Sequence, residues 1–178
     1  MVRRILMALV VGGLFYSGHV HSQEVEKKDI AKYGEWTVTL NYQDASNPTC
    51  QIWAPALSSG VDYGGMITIW RDYKAKKEWS NRINIEVMIF DIKKNALAKL
   101  GNKLKPQFGN NGGVVSGILR DTQGSLLFLS EKNDFKKLID SANEIFMATT
   151  ADRFGNEIAL AAPLYGIHEA CIKCGLLE

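Results

Sequence analysis

Between Asn81 and Phe90 every second residue is a branched aliphatic, with Ile83, Ile85, Val87 and Ile89 in step. Period-two alternation places all four on one face of an extended strand, whereas a helix would scatter them around its circumference. The opposite face, Arg82, Asn84, Glu86, Met88 and Phe90, turns from polar to apolar along the strand. The same period recurs along most of the chain. Trp36, Val38 and Leu40 alternate with Thr37, Thr39 and Asn41; Asn47-Pro48 marks a turn, and Cys50–Pro55 reads as a second short strand. Gly64-Gly65 precedes the β-forming run 66–70, and charged residues 71–78 are predicted to form a polar connection. Val114–Arg120 and Ser125–Leu129 flank a turn at Thr122-Gln123-Gly124, while Ile145–Thr150 and Glu157–Leu160 flank Phe154-Gly155-Asn156.

After Ser130 the period changes. Phe135, Leu138, Ile139 and Ala142 fall three or four apart, which predicts an amphipathic helix ending near Asn143. The tail from Pro163 to Cys174 is predicted to be a short C-terminal helix. About seven or eight strands with these two helices predict a mainly β fold, an antiparallel sandwich or barrel. Residues 91–108 admit two readings. Asp91 could cap a helix stopped by Gly101, or Gly101-Asn102 could turn a hairpin with arms Leu97–Leu100 and Lys103–Phe108. The hairpin is the favoured expectation, with Pro106 at an edge. Residues 109–113 read as a mobile loop or wide turn between strands.

The N-terminus is built differently. Arg3 and Arg4 precede an apolar run from Ile5 to Tyr16, and polar residues 17–22 lead to Gln23. This is the three-part pattern of a secretory signal peptide, with Val20 and Ser22 at the small-residue positions before the cut. The apolar run is about 12 residues, short of the roughly 20 that a bilayer core needs. No Cys follows it to carry a lipid. The expected organisation is a signal peptide over 1–22, an N-terminal extension over 23–32 and a single domain over 33–178. The expected location is the periplasm or the exterior, with no stable membrane insertion after cleavage.

Export changes the charge argument. The chain has 21 Lys and Arg against 19 Asp and Glu, and loss of Arg3 and Arg4 leaves 19 against 19. That balance gives no reason to expect nucleic acid as a partner. Lys93, Lys94, Lys99, Lys103 and Lys105 do crowd one short region. They are read as solvated edge positions that discourage strand-to-strand aggregation.

Three cysteines remain after cleavage, Cys50, Cys171 and Cys174, and spacing alone selects none of the three pairings. Cys171-Ile172-Lys173-Cys174 has the spacing of a thiol–disulfide exchange device. Its context differs, because it lies toward the end of the predicted helix with no βαβ framework around it. The structural alternative pairs Cys50 with one of the two and pins the tail to the first hairpin; chain-entropy models give such a bond about 4–5 kcal/mol. His168 is the one histidine left after cleavage. With the cysteines it could form a zinc set, but disulfide formation competes, and no metal or cofactor is expected.

No catalytic residue is expected either. A Gly-x-Ser-x-Gly elbow and a Walker or dinucleotide fingerprint are missing from the sequence. Carboxylates such as Asp62, Asp72, Glu78 and Glu86 cannot be paired from sequence alone. Trp36, Trp53 and Trp70 read as core and cross-strand anchors. Trp79, between Glu78 and Ser80, is the candidate for an exposed partner contact.

Several of these segments resemble the invasion-associated locus B family of exported bacterial proteins. Tyr33-Gly34-Glu35-Trp36-Thr37-Val38 is similar to the family's opening segment, and Cys50 falls in the next strand. Asp134–Met147 resembles its helix, small turn and hydrophobic strand. Arg153-Phe154-Gly155 stands where the family has a polar turn, and Ile158-Ala159-Leu160 with Cys174-Gly175 resembles its ending. Asn143-Glu144, Ala161-Ala162-Pro163 and the extra Cys171 depart from the pattern. The resemblance implies a β-sandwich with a small helix, a Cys50–Cys174 bond and a free Cys171. It brings no catalytic residues. The expected function is binding of another macromolecule, a protein or envelope partner, by a non-enzymatic exported protein. Two alternatives stand beside it. One is a thiol oxidoreductase using Cys171 and Cys174. The other is an inhibitor or immunity protein for a cell-wall hydrolase or toxin, acting through Trp79 and the 109–113 loop.

Overall fold

The computed structural model describes residues 27–41, 49–58, 62–74, 78–110, 113–120, 124–140 and 146–177; for 72–74, 78–80 and 146–147 it describes the backbone alone. The predicted signal peptide, the Asn47-Pro48 turn, and Ala142 with Asn143 lie outside the described residues.

The described residues form eleven strands: β1 (Lys27–Tyr33), β2 (Trp36–Asn41), β3 (Thr49–Ser58), β4 (Tyr63–Lys74), β5 (Glu78–Asp91), β6 (Ala96–Leu97), β7 (Gln107–Asn110), β8 (Gly113–Leu119), β9 (Ser125–Glu131), β10 (Phe146–Ala151) and β11 (Glu157–Ala162). Helix α1 (Lys132–Asp140) joins β9 to β10, and α2 (Ile167–Lys173) follows β11. Eight strands pair antiparallel in the order β3-β11-β10-β7-β8-β9-β5-β4, and β4 pairs back with β3 to close a barrel. The fold is therefore the predicted mainly β, antiparallel architecture with two helices. Closure depends on β3, which divides one edge between two partners. Its first half pairs with β2 and its last two residues with β11. The β1–β2 hairpin is thereby left outside the ring.

Alternation fills the interior. Ile83, Ile85, Val87 and Ile89 of β5 are fully buried, beside Ile67 and Ile69 of β4 and Leu126 and Phe128 of β9. Burying such a side chain is worth about 1.5–3 kcal/mol, so this one strand contributes a large share of the core. Phe128 meets Phe108 of β7 with ring centroids 5.6 Å apart. Gly117 of β8 leaves room for that ring, since a Cβ there would overlap Phe128.

The structure departs from expectation at residues 71–78 and 91–108. Residues 71–74 and 78 are strand rather than a polar connection: β4 runs to Lys74 and β5 starts at Glu78, with a register shift between Arg71 and Tyr73, and 75–77 lie outside the described residues. Such a bulge lets a long strand bend around a barrel. The 97–108 hairpin does not form. Leu97 pairs with Phe90, Leu100 bridges Asp152, and the Gly101 N–H donates to the Ala151 carbonyl at 3.0 Å. The backbone of 99–101 thus finds partners on β10 rather than on residues 103–108. The alternative helix from Asp91 is also missing, because β5 continues to Asp91 and a turn follows. Of residues 109–113, Gly109 and Asn110 end β7 and Gly113 opens β8 as the register partner of Asn110; 111–112 lie outside the described residues. Within residues 23–32, β1 starts at Lys27 and pairs with β2.

Candidate functional site

Antiparallel pairing sorts the loops onto two ends of the barrel. One end holds both helices and the C-terminal tail. The other gathers the 92–106 segment, the 152–156 turn, the start of β4 and the turn before β9.

The helical end is tied by contacts between residues far apart in sequence. Cys50 of β3 is bonded to Cys174 at the end of α2, with Cα atoms 5.4 Å apart and 124 positions between them in sequence. Trp36, fully buried, donates its indole N–H to the Pro163 carbonyl at 2.8 Å. Buried Arg71 reaches the Gly175 carbonyl at 2.9 Å. At Gly166, with φ +89°, the tail lies so close to the Tyr33 carbonyl that a Cβ would collide with it. The segment Tyr33–Val38 therefore serves as a seat for the tail. On the same end α1 buries Phe135, Leu138 and Ile139, and Asn110 donates its side-chain amide to the Leu138 carbonyl at 3.1 Å.

This geometry sets the chemistry of the cysteines. Cys171 is free and fully buried in the core, and burial pushes its thiol well above the ordinary range. Its CxxC neighbour Cys174 is bonded to Cys50 and sits at the C-cap of α2. An exchanging thiol needs exposure and a stabilised thiolate, and Cys171 has neither. His168 of α2 is exposed, with Nε2 4.0 Å from Oδ1 of Asp140. Among the described residues no three His, Cys, Asp or Glu side chains are grouped to hold a metal. Trp79 falls within β5 opposite Tyr73, and its side chain lies outside what the structure describes.

The opposite end is organised by two carboxylates turned inward. Asp152 is 6% exposed and accepts from the Phe154 N–H at 2.8 Å, the Asn156 N–H at 2.9 Å and the Asn156 amide at 2.8 Å. Desolvation pushes its pKa up, but these hydrogen bonds together outweigh it and hold the carboxyl below the usual range. Asp91 does the same for the turn after β5. It accepts from the Lys94 ammonium and, at 3.1 Å, from the Lys94 N–H. The Lys94 side chain is the main cause of its lowered pKa. Asp91 was read as a possible helix cap, and it caps a turn instead. Half-buried Tyr63 feels both acids; burial first, then Asp152 and Asp91, raise its pKa.

What sequence reasoning missed is the set of exposed apolar side chains here. Phe154 is 65% exposed, and Ile92, Leu97 and Leu104 also face outward. Leu57, Gly64, Phe90 and Leu97 form one register row across β3, β4, β5 and β6, with Leu57 71% exposed. The available signal was the drift of the outer face of β5 from Arg82 to Phe90.

Comparisons of the chain with protein-family models, with curated proteins and with solved structures find no match.

Proposed function

We propose that the chain is an exported, non-enzymatic β-barrel that acts by binding another macromolecule at its outer surface. The observation that carries this reading is the Cys50–Cys174 bond with Cys171 buried and free. A structural disulfide between distant residues suits an oxidising compartment, in keeping with the signal-like residues 1–22. The same pairing is the one implied by the resemblance to the invasion-associated locus B family. The barrel interior is filled by its own aliphatic and aromatic side chains, which favours surface recognition over an enclosed ligand.

The thiol oxidoreductase alternative draws on Cys171 and Cys174, and the burial of Cys171 weighs against it. The inhibitor or immunity alternative loses part of its basis, because Asn110 is turned toward α1. The test is cell fractionation combined with cross-linking in the intact envelope. The expected result is a chain starting near Gln23, outside the cytoplasm and cross-linked to a partner. A chain retained in the cytoplasm with reduced thiols would overturn the reading. So would disulfide reductase activity that disappears in Cys171→Ser.

A further inference from the structure

We propose that the loop end of the barrel docks on an anionic phospholipid surface. The inference goes beyond the binding role above by naming the partner, and it uses that reading only for the compartment.

The first observation is the separation of charge at this end. Lys99, Lys103, Lys105 and Arg153 are exposed. The acids beside them are withheld, since Asp152 and Asp91 are buried and hydrogen-bonded within their own turns, and Asp62 pairs with Lys93 at 2.7 Å. Glu157 is the exposed acid that remains among the described residues of these loops. A chain with a formal net charge of only +2 therefore presents a basic face at one end.

Apolar side chains stand among those charges. Leu104 lies between Lys103 and Lys105, and both it and Phe154 are exposed. Phe154 is held in place from two sides: the Arg153 guanidinium lies 4.5 Å from its ring centroid, and the Lys103 ammonium donates to its carbonyl at 2.9 Å. The neighbouring wall continues the apolar surface through Leu57, Phe90 and Leu97, with Ile92 packed over Gly64. Basic groups mixed with outward aliphatic and aromatic side chains match a headgroup layer, with phosphates for the charges and acyl boundary for the rings. Nucleic acid would match the charges and leave the apolar side chains unused.

The test is co-sedimentation of the soluble protein with vesicles of phosphatidylcholine alone and of phosphatidylcholine with phosphatidylglycerol, at low and high salt. Binding is expected only with the anionic vesicles and should weaken with salt. Changing Lys99, Lys103, Lys105 and Arg153 to Gln should lower the partition coefficient about 600-fold, at roughly fivefold per charge. Leu104→Ser with Phe154→Ser should lower it about tenfold or more with charge unchanged. Lys136→Gln with Lys137→Gln, on α1 at the other end, should leave it unaltered. The proposal is overturned if anionic vesicles are not preferred, or if the α1 pair matters as much as the loop-end lysines. It is equally overturned if the Leu104 and Phe154 changes have no effect, which would mark a general polyanion surface. Export is read separately by fractionation, so failure on vesicles would leave the exported binding role standing with a different partner.

Discussion

The two ends of the barrel are closed by opposite means. At the helical end the ties are long-range: Cys50 to Cys174 spans 124 positions, Trp36 to Pro163 spans 127, and Arg71 to Gly175 spans 104. At the loop end the ties made by buried carboxylates are local, with Asp152 bonding residues two and four positions on and Asp91 a residue three on, while Gly101 to Ala151 and Lys103 to Phe154 span about 50 positions. The disulfide constrains the unfolded chain, and all three long-range ties couple their end to global unfolding, while local ones can open without disturbing the rest. The covered end thus supplies stability, and the loop end is left able to meet a partner.

Reducing the Cys50–Cys174 bond should have the largest effect. A closed loop of this length gives about 5 kcal/mol in the chain-entropy model. Urea unfolding with and without reductant measures it, and hydrogen exchange should rise first in residues 163–177. Equal acceleration in 92–106 would erase the distinction between the ends. Trp36→Phe comes next, at about 2–3 kcal/mol, because it leaves the Pro163 carbonyl unpaired and a gap in a fully buried site. Asp152→Ala should cost less, about 1–2 kcal/mol, with exchange increased in residues 152–156 and α2 unaffected. Arg82→Ala should be smallest, below about 0.5 kcal/mol, since Arg82 and Glu131 are 67% and 58% exposed. A loss of 2 kcal/mol there would mean that the outer wall of β5 is held more tightly than its exposure implies.

The ends should also separate by pH. Asp91 and Asp152 have folded pKa values below their ordinary 3.8. Their contribution is present above that value and is lost as pH falls through the lower folded values, so acid should loosen 92–106 and 152–156 first. Cys171 is shifted the other way. Its folded pKa lies above the ordinary 9.0, so stability is full below pH 9 and declines as pH rises beyond it, which acts on the helical end. Amide exchange at acid and alkaline pH should show the two ends responding in opposite directions.

Much of the barrel was legible because alternation is a local signal. The four aliphatics of β5 and the helical spacing of Phe135, Leu138 and Ile139 each predicted their burial. Closure was not legible, since it depends on how β3 shares an edge between β2 and β11, and no residue in β3 announces that division. The expected 97–108 hairpin does not form for a similar reason: Leu100 and Gly101 find their backbone partners in Asp152 and Ala151, at the end of β10 and far along the chain. The cysteine pairing came from family resemblance, because spacing left three pairings open. Exposure of Phe154 and Leu104 is a tertiary property, although the lysines around Leu104 marked the region.

The most direct test is peptide mass spectrometry of the unreduced protein isolated from the cells that make it. A Cys50–Cys174 linkage with Cys171 as a free, slowly alkylated thiol is the predicted result. A Cys171–Cys174 linkage with Cys50 free would contradict it, detach the tail from β3 and make thiol exchange the leading function.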